Sequence, residues 1–224
     1  MKTEGLTRYH PGNRGLHLKY GRKILPATPA VWSHVFDKWY GVLQRYVDAM
    51  HDEKGLPWDY EERPQVGFLA AAIWACDGVV LEEWKTLKEC TKSGEKYGRC
   101  DMFARLQNAE LDCHIEAKWE EVSLADLKPV TSKVRSCLES AQADANGLRY
   151  KGEGEGIAVA FLGLRRQIES DLSAEIASEL AQLCPEDFGV NAVGWVCLSN
   201  ADADLVSRER PESRVGMILL VKHV

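Results

Sequence analysis

Apolar residues recur at helical spacing from about Val31 to Met50, where Val31, Val35, Trp39, Leu43, Tyr46 and Val47 share one face. A polar loop, HDEKGLPWDYEERP, follows, with Gly55 and Pro57 as breakers. The spacing then resumes: Leu69, Ile73, Cys76, Val80, Trp84 and Leu87 form one stripe. This predicts a second helix with Pro64 in its first turn, running to about Trp84. Gly78 interrupts it. Glu83 falls within the apolar stripe and Glu82 points nearly opposite. A core-facing carboxylate is costly unless a metal, a Lys or Arg, or a fraying helix end compensates it.

The period then drops towards two. In TLKECTKSGEKYGRCDMFARLQNAELDCHIEAKW, turns at Ser93-Gly94 and near Asn108 leave room for two or three short strands, the first weakly marked over Thr86–Thr91. A helix is expected over 123–145, opened by Ser123 with Asp126 three positions on, close to a capping box. IAVAFLGL reads as a strand buried on both faces. An amphipathic helix follows, and then two more strands, NAVGWVCLSN and RVGMILLVKHV. The order indicates an α/β sandwich around one sheet, a single domain over 31–224 preceded by an irregular arm over 1–30.

Composition changes this picture little. The 224 residues are 45% hydrophobic and 28% charged, ordinary for a globular chain, and no apolar run reaches membrane-spanning length. The N-terminus lacks the apolar core of a secretory signal, so a cytoplasmic address is the expectation. Seven cysteines include no CxxC pair, and Cys76, Cys113, Cys137 and Cys197 sit in apolar or periodic segments as small core residues. Charge matters more. The net value of −6 hides a basic start: residues 1–23 hold six Lys/Arg against Glu4 alone. That arm is either a phosphate-reaching element or a solvated terminus.

The candidate chemistry lies in the hairpin region. Alternation over Cys113–Trp119 puts His114, Glu116 and Lys118 on one face and Cys113, Ile115, Ala117 and Trp119 on the other. In the preceding strand, Asp101, Phe103 and Arg105 oppose Cys100, Met102, Ala104 and Leu106. Pairing through a turn near Asn108–Glu110 sets Asp101 beside Glu116. Two adjacent carboxylates repel each other and suit a hard divalent cation. Lys118 is placed to orient a water or stabilise a pentavalent phosphate. A second E-x-K, Glu83-Trp84-Lys85, lies on the expected helix, where residues two apart diverge by about 200°.

Asp101 followed by Glu116-Ala117-Lys118, on neighbouring strands between helices, resembles the PD-(D/E)XK phosphodiesterase superfamily. That group includes restriction endonucleases, phage-type exonucleases and DNA-repair nucleases. The resemblance spans roughly residues 64–164 and departs from the pattern at Cys100, where a Pro commonly precedes the acid. It implies a restriction-endonuclease-like αβββαβ core, a central mixed sheet flanked by helices. It also implies metal-dependent hydrolysis of DNA phosphodiesters. On this resemblance Asp101, Glu116 and the Ala117 carbonyl hold Mg2+ or Mn2+, joined by a helix glutamate: Glu83 by position, or Glu82 if the helix unwinds early. Lys118 positions the nucleophile or stabilises the transition state, with Gln142 and His114 as accessory candidates. DNA is the implied partner, and homodimers are common among single-domain duplex cutters of this kind. A reading of another class stays open: a non-catalytic protein of the same fold that binds a protein or nucleic-acid partner.

Overall fold

A computed structural model describes residues 16, 18–90, 94–106, 110–147, 154–165, 176–199, 202 and 214–224. Among these, seven strands form one mixed sheet. The chain runs β1 (Leu18–Ile24), α1 (Val31–Lys54), a 3-10 turn (Pro57–Asp59), α2 (Glu62–Trp74), β2 (Val79–Cys90), β3 (Gly94–Leu106) and β4 (Leu111–Ser123). A second 3-10 turn (Leu124–Asp126), α3 (Ser132–Asn146) and β5 (Glu155–Arg165) follow. The chain closes with α4 (Ile176–Leu180), α5 (Pro185–Phe188), β6 (Ala192–Leu198) and β7 (Gly216–His223). Across the sheet the order is β1-β6-β7-β5-β4-β3-β2. β2, β3 and β4 are antiparallel neighbours, whereas β4 and β5 run parallel and are joined through α3. No helix of the described residues is long and apolar enough to cross a membrane.

The apolar stripe of α1 buries as its spacing predicts, with Val35, Trp39, Leu43 and Val47 fully enclosed together with Trp32 and Phe36. The helix lies so close to β6 that a Cβ on Gly194 would stand 2.3 Å from a ring carbon of Phe36. Gly194→Ala should therefore destabilise the fold by about 1–3 kcal/mol through overpacking, read as a lower urea midpoint at unchanged m. In β5 the run Ile157–Leu164 is buried throughout, with strands on both sides. The last strand, β7, is central, between β5 and β6.

Three expectations are corrected. The second helix does not reach Trp84: it ends at Trp74, and Val79–Cys90 is a strand. Asp77 turns into the left-handed region at φ 59°, and a Cβ on Gly78 would meet the Ile73 carbonyl at 2.9 Å. A tight reversal thus occupies the place where the apolar spacing ran on. The weakly marked strand before Asp101 is accordingly twelve residues long. Residues Leu18–Ile24, read as irregular arm, form the edge strand β1 against β6. The helix expected from Ser123 begins as a 3-10 turn and becomes α-helical only at Ser132. Its opening still uses Asp126, whose carboxylate accepts from the Ser123 N–H at 2.8 Å and the Ser123 hydroxyl at 2.9 Å. Residues 1–15 of the basic arm lie outside the described residues.

Candidate active site

Asp101 and Glu116 occupy the register position at which β3 and β4 part. Backbone pairing between these strands runs from Leu106↔Leu111 to Met102↔Ile115 and stops there. At the next position a side chain replaces the ladder: Asp101 Oδ2 accepts the Ala117 N–H at 2.8 Å. The same register carries Glu116 into the sheet interior, where its side chain is 1% exposed. Lys118, two residues on, donates to the Ala117 carbonyl at 3.0 Å and to Asp144 of α3 at 2.8 Å.

The helical glutamate is not the one expected. Glu83 lies on β2, not on a helix, with φ at 50°. It is the one residue of β2 that drops out of the ladder to β3, at the level of Asp101. Its carboxylate ion-pairs with Arg63 of α2 and Arg99 of β3. Glu82 is exposed on the same strand, paired with Met102. The acid that α2 brings in is Glu62, at its first turn. Burial raises the pKa of this half-buried carboxyl; the Lys118 charge opposes the rise, and the charges of Asp101 and Asp144 add to it. Glu62 is held in place by the turn before it, because the buried Gln65 amide donates to the Pro57 and Tyr60 carbonyls at 2.7 and 3.1 Å.

Lys118 answers to the same charges. Burial acts to lower its pKa, but the hydrogen bond and charge of Asp144, with the charges of Glu62 and Asp101, prevail and raise it. The lysine is therefore cationic at neutral pH and acts as a fixed positive charge rather than as a base. Glu62 gives the opposite linkage. A carboxyl whose folded pKa is raised contributes stability in acid, and this is lost as pH rises through the folded pKa. Glu62→Gln should accordingly melt at a higher temperature than wild type at neutral pH. The gap should close as pH falls below the ordinary carboxylate range, as a pH series of thermal melts would show.

Of the accessory candidates, His114 is on the Glu116 strand but is not a solvated edge residue. It is 3% exposed, with its ring 5.2 Å from that of Phe103. Gln142 is half-buried on α3, and the α3 residue that reaches Lys118 is Asp144. Both Asp144 and Glu62 were missed in the sequence, although a signal existed for each. Acids gather in first turns of helices, and Asp144 lies three residues after Ala141 on the flank of the buried stripe.

The donors are carboxylates and a carbonyl, the hard oxygen set that suits Mg2+ or Mn2+. A carbonyl has two lone pairs and a carboxylate two oxygens, so Ala117 and Asp101 retain acceptor capacity beyond their present bonds. Among the described residues no three His, Cys, Asp or Glu side chains are already gathered at metal-binding distance. A cavity of about 360 Å3 opens elsewhere, between β1 and α1, lined by Tyr20, Asp37, Tyr40 and Arg45 among others. It belongs to the opposite edge of the sheet and shares no residue with the acids. No protein-family model, curated protein or solved structure matches the chain.

Proposed function

We propose that the protein is a metal-dependent deoxyribonuclease of the PD-(D/E)XK kind. The observation that carries this reading is that Asp101 and Lys118 both bond to the Ala117 backbone where β3 and β4 part, next to the buried Glu116, with Glu62 close enough from the preceding helix to feel the charges of Lys118 and Asp101. The order α2-β2-β3-β4-α3-β5, with three antiparallel strands and then a parallel one, supports a restriction-endonuclease-like core. Asp101, Glu116 and the Ala117 carbonyl would hold Mg2+ or Mn2+, with Glu62 in the role first expected of Glu83. Bound there, the ion would acidify a water and offset phosphate charge. The chain supplies the rest. Lys118 holds a positive charge beside the acids, kept there by Asp144. The Asp101–Ala117 bond fixes the strand that presents Glu116 and Lys118.

A second reading is a non-catalytic binding protein on this fold. The ion pair that already engages Lys118 favours it. Metal response separates the two. Mn2+ should raise the melting temperature of the wild type, and Asp101→Asn should remove the rise. In parallel, Mg2+- or Mn2+-dependent cutting of a DNA panel should appear in wild type and vanish in Asp101→Asn. A flat melting temperature together with an uncut panel would leave the binding reading standing.

A further inference from the structure

The face of the sheet that carries the acids is arranged in rows across β2, β3 and β4. Lys85 pairs with Arg99, and Leu81 pairs with Phe103, which in turn pairs with His114. Between these two rows lie Glu83 and Asp101, followed on β4 by Glu116. Successive rows are two residues apart along the strands, or about 7 Å. A basic row, an acidic row and an apolar, largely aromatic row thus lie side by side.

Trp84 is paired with Cys100 outside this row, directly after the left-handed Glu83, yet its ring centre comes within 6.4 Å of that of Phe103, and Phe103 is 5.2 Å from His114. Leu81 is 46% exposed and Trp84 39%, among the few large apolar side chains in this part of the fold that face solvent. An apolar patch at a charged site marks a contact surface. Beside it, the well-exposed guanidiniums of Arg63 and Arg99 converge on Glu83. Cations for phosphate therefore stand next to flat apolar surface for something uncharged.

We infer that Phe103 and Trp84 form a base-stacking shelf and that the substrate is DNA single-stranded at the scissile position. The inference rests on the nuclease reading and specifies its substrate. A phosphate held between the basic and acidic rows places its own base over the aromatic row, within the reach of one nucleotide. In a duplex the base faces are stacked on one another and offer nothing to a shelf. An unpaired base offers a π-face, and stacking on aromatic side chains with arginines along the backbone is the recognition chemistry of single strands.

The test measures binding of a labelled single-stranded oligonucleotide and of its duplex to the full chain in EDTA, by fluorescence anisotropy. Wild type should bind the single strand at least about tenfold more tightly than the duplex. Trp84→Ala and Phe103→Leu should each lose about tenfold on the single strand and little on the duplex. Phe103→Leu keeps apolar volume at a half-buried position, and thermal melts of both variants check the fold. Equal affinity for the two DNA forms, or unchanged affinity in both variants, would overturn the proposal. Without metal the assay is independent of cleavage. Metal-dependent cutting with no preference for single strands removes the shelf and leaves the nuclease reading. Single-strand binding lost in Trp84→Ala, with no cutting by any form, keeps the shelf and removes the hydrolytic reading. A dimer that Trp84→Ala converts to monomer, at unchanged DNA affinity, would assign the patch to pairing along the β2 edge and overturn the inference.

Discussion

Lys118→Ala should lower metal-dependent DNA cleavage by about two to three orders of magnitude, the usual cost of deleting one preorganised charge aimed at a transition state. The loss should appear in kcat rather than in DNA affinity, because the exposed Arg63 and Arg99, proposed to meet phosphate, are left untouched. It should not appear as unfolding. The Lys118–Asp144 pair is partly solvent-exposed on both sides, at 27% and 45%, and such pairs contribute under about 1 kcal/mol. Lys118→Arg keeps the charge but replaces a compact ammonium with a planar fork, so it should recover only part of the rate. Asp144→Asn gives the complementary result. It frees the ammonium from its partner on α3 while leaving Asp101 and Glu116 in place, so cleavage should fall far less. Because the lysine pKa is raised, the pH–rate profile of wild type should show no lysine titration in the neutral range. Cleavage by Lys118→Ala at the wild-type rate would mean that the lysine serves only as the Asp144 partner.

The strand-borne half of this site was legible in the sequence because strand alternation is a rigid rule. Once Cys113–Trp119 is extended, Glu116 and Lys118 must share a face, and the hairpin turn fixes which acid comes beside them. The helix-borne half was not. Leu69, Ile73, Cys76 and Val80 continue a helical stripe across the reversal at Asp77-Gly78, since buried residues of a helix and of the strand packed on it are equally apolar. Periodicity alone does not separate two such segments. The continued stripe puts Glu83 on a helix, and separately Pro64 as the expected start leaves Glu62, the true first residue of α2, in the loop before it. A different difficulty hides β1, whose seven residues LKYGRKI carry too few apolar positions to stand out within a basic terminus. What holds β1 in the sheet is the hydrogen-bonding edge of β6, a partner far away in sequence.

Arg214→Ala should cost about 3 kcal/mol or more in urea unfolding, the scale for breaking a largely buried charge from its partners. Its side chain is 14% exposed and gathers three parts of the chain. The guanidinium pairs with Glu121 of β4 at 2.8 Å and donates to the Trp58 and Asp59 carbonyls at 3.2 and 2.9 Å. It also lies over the Trp119 ring at 4.5 Å. Backbone bonds reinforce the joint: the Arg214 N–H donates to Asp59 at 3.0 Å, and Trp58 Nε1 donates to the Arg214 carbonyl at 2.8 Å. The side chain fits because β5 has Gly163 beneath it, where a Cβ would come within 2.7 Å of Arg214 Cδ. Alanine would strand two carbonyls at once and leave Glu121 with Arg165 alone, at 3.3 Å. Lysine would restore a charge but not the fork that serves both carbonyls and the carboxylate, so most of the loss should remain in Arg214→Lys. The consequence reaches the site, since Trp58 and Asp59 form the turn that leads into α2 and Glu62, while Glu121 lies three residues beyond Lys118. Arg214 therefore ties the turn that leads into Glu62 to the strand that carries Lys118. Cleavage measured well below the melting temperature of Arg214→Ala should fall beyond what the folded fraction explains. A loss that tracks the folded fraction alone would make the joint purely a matter of stability.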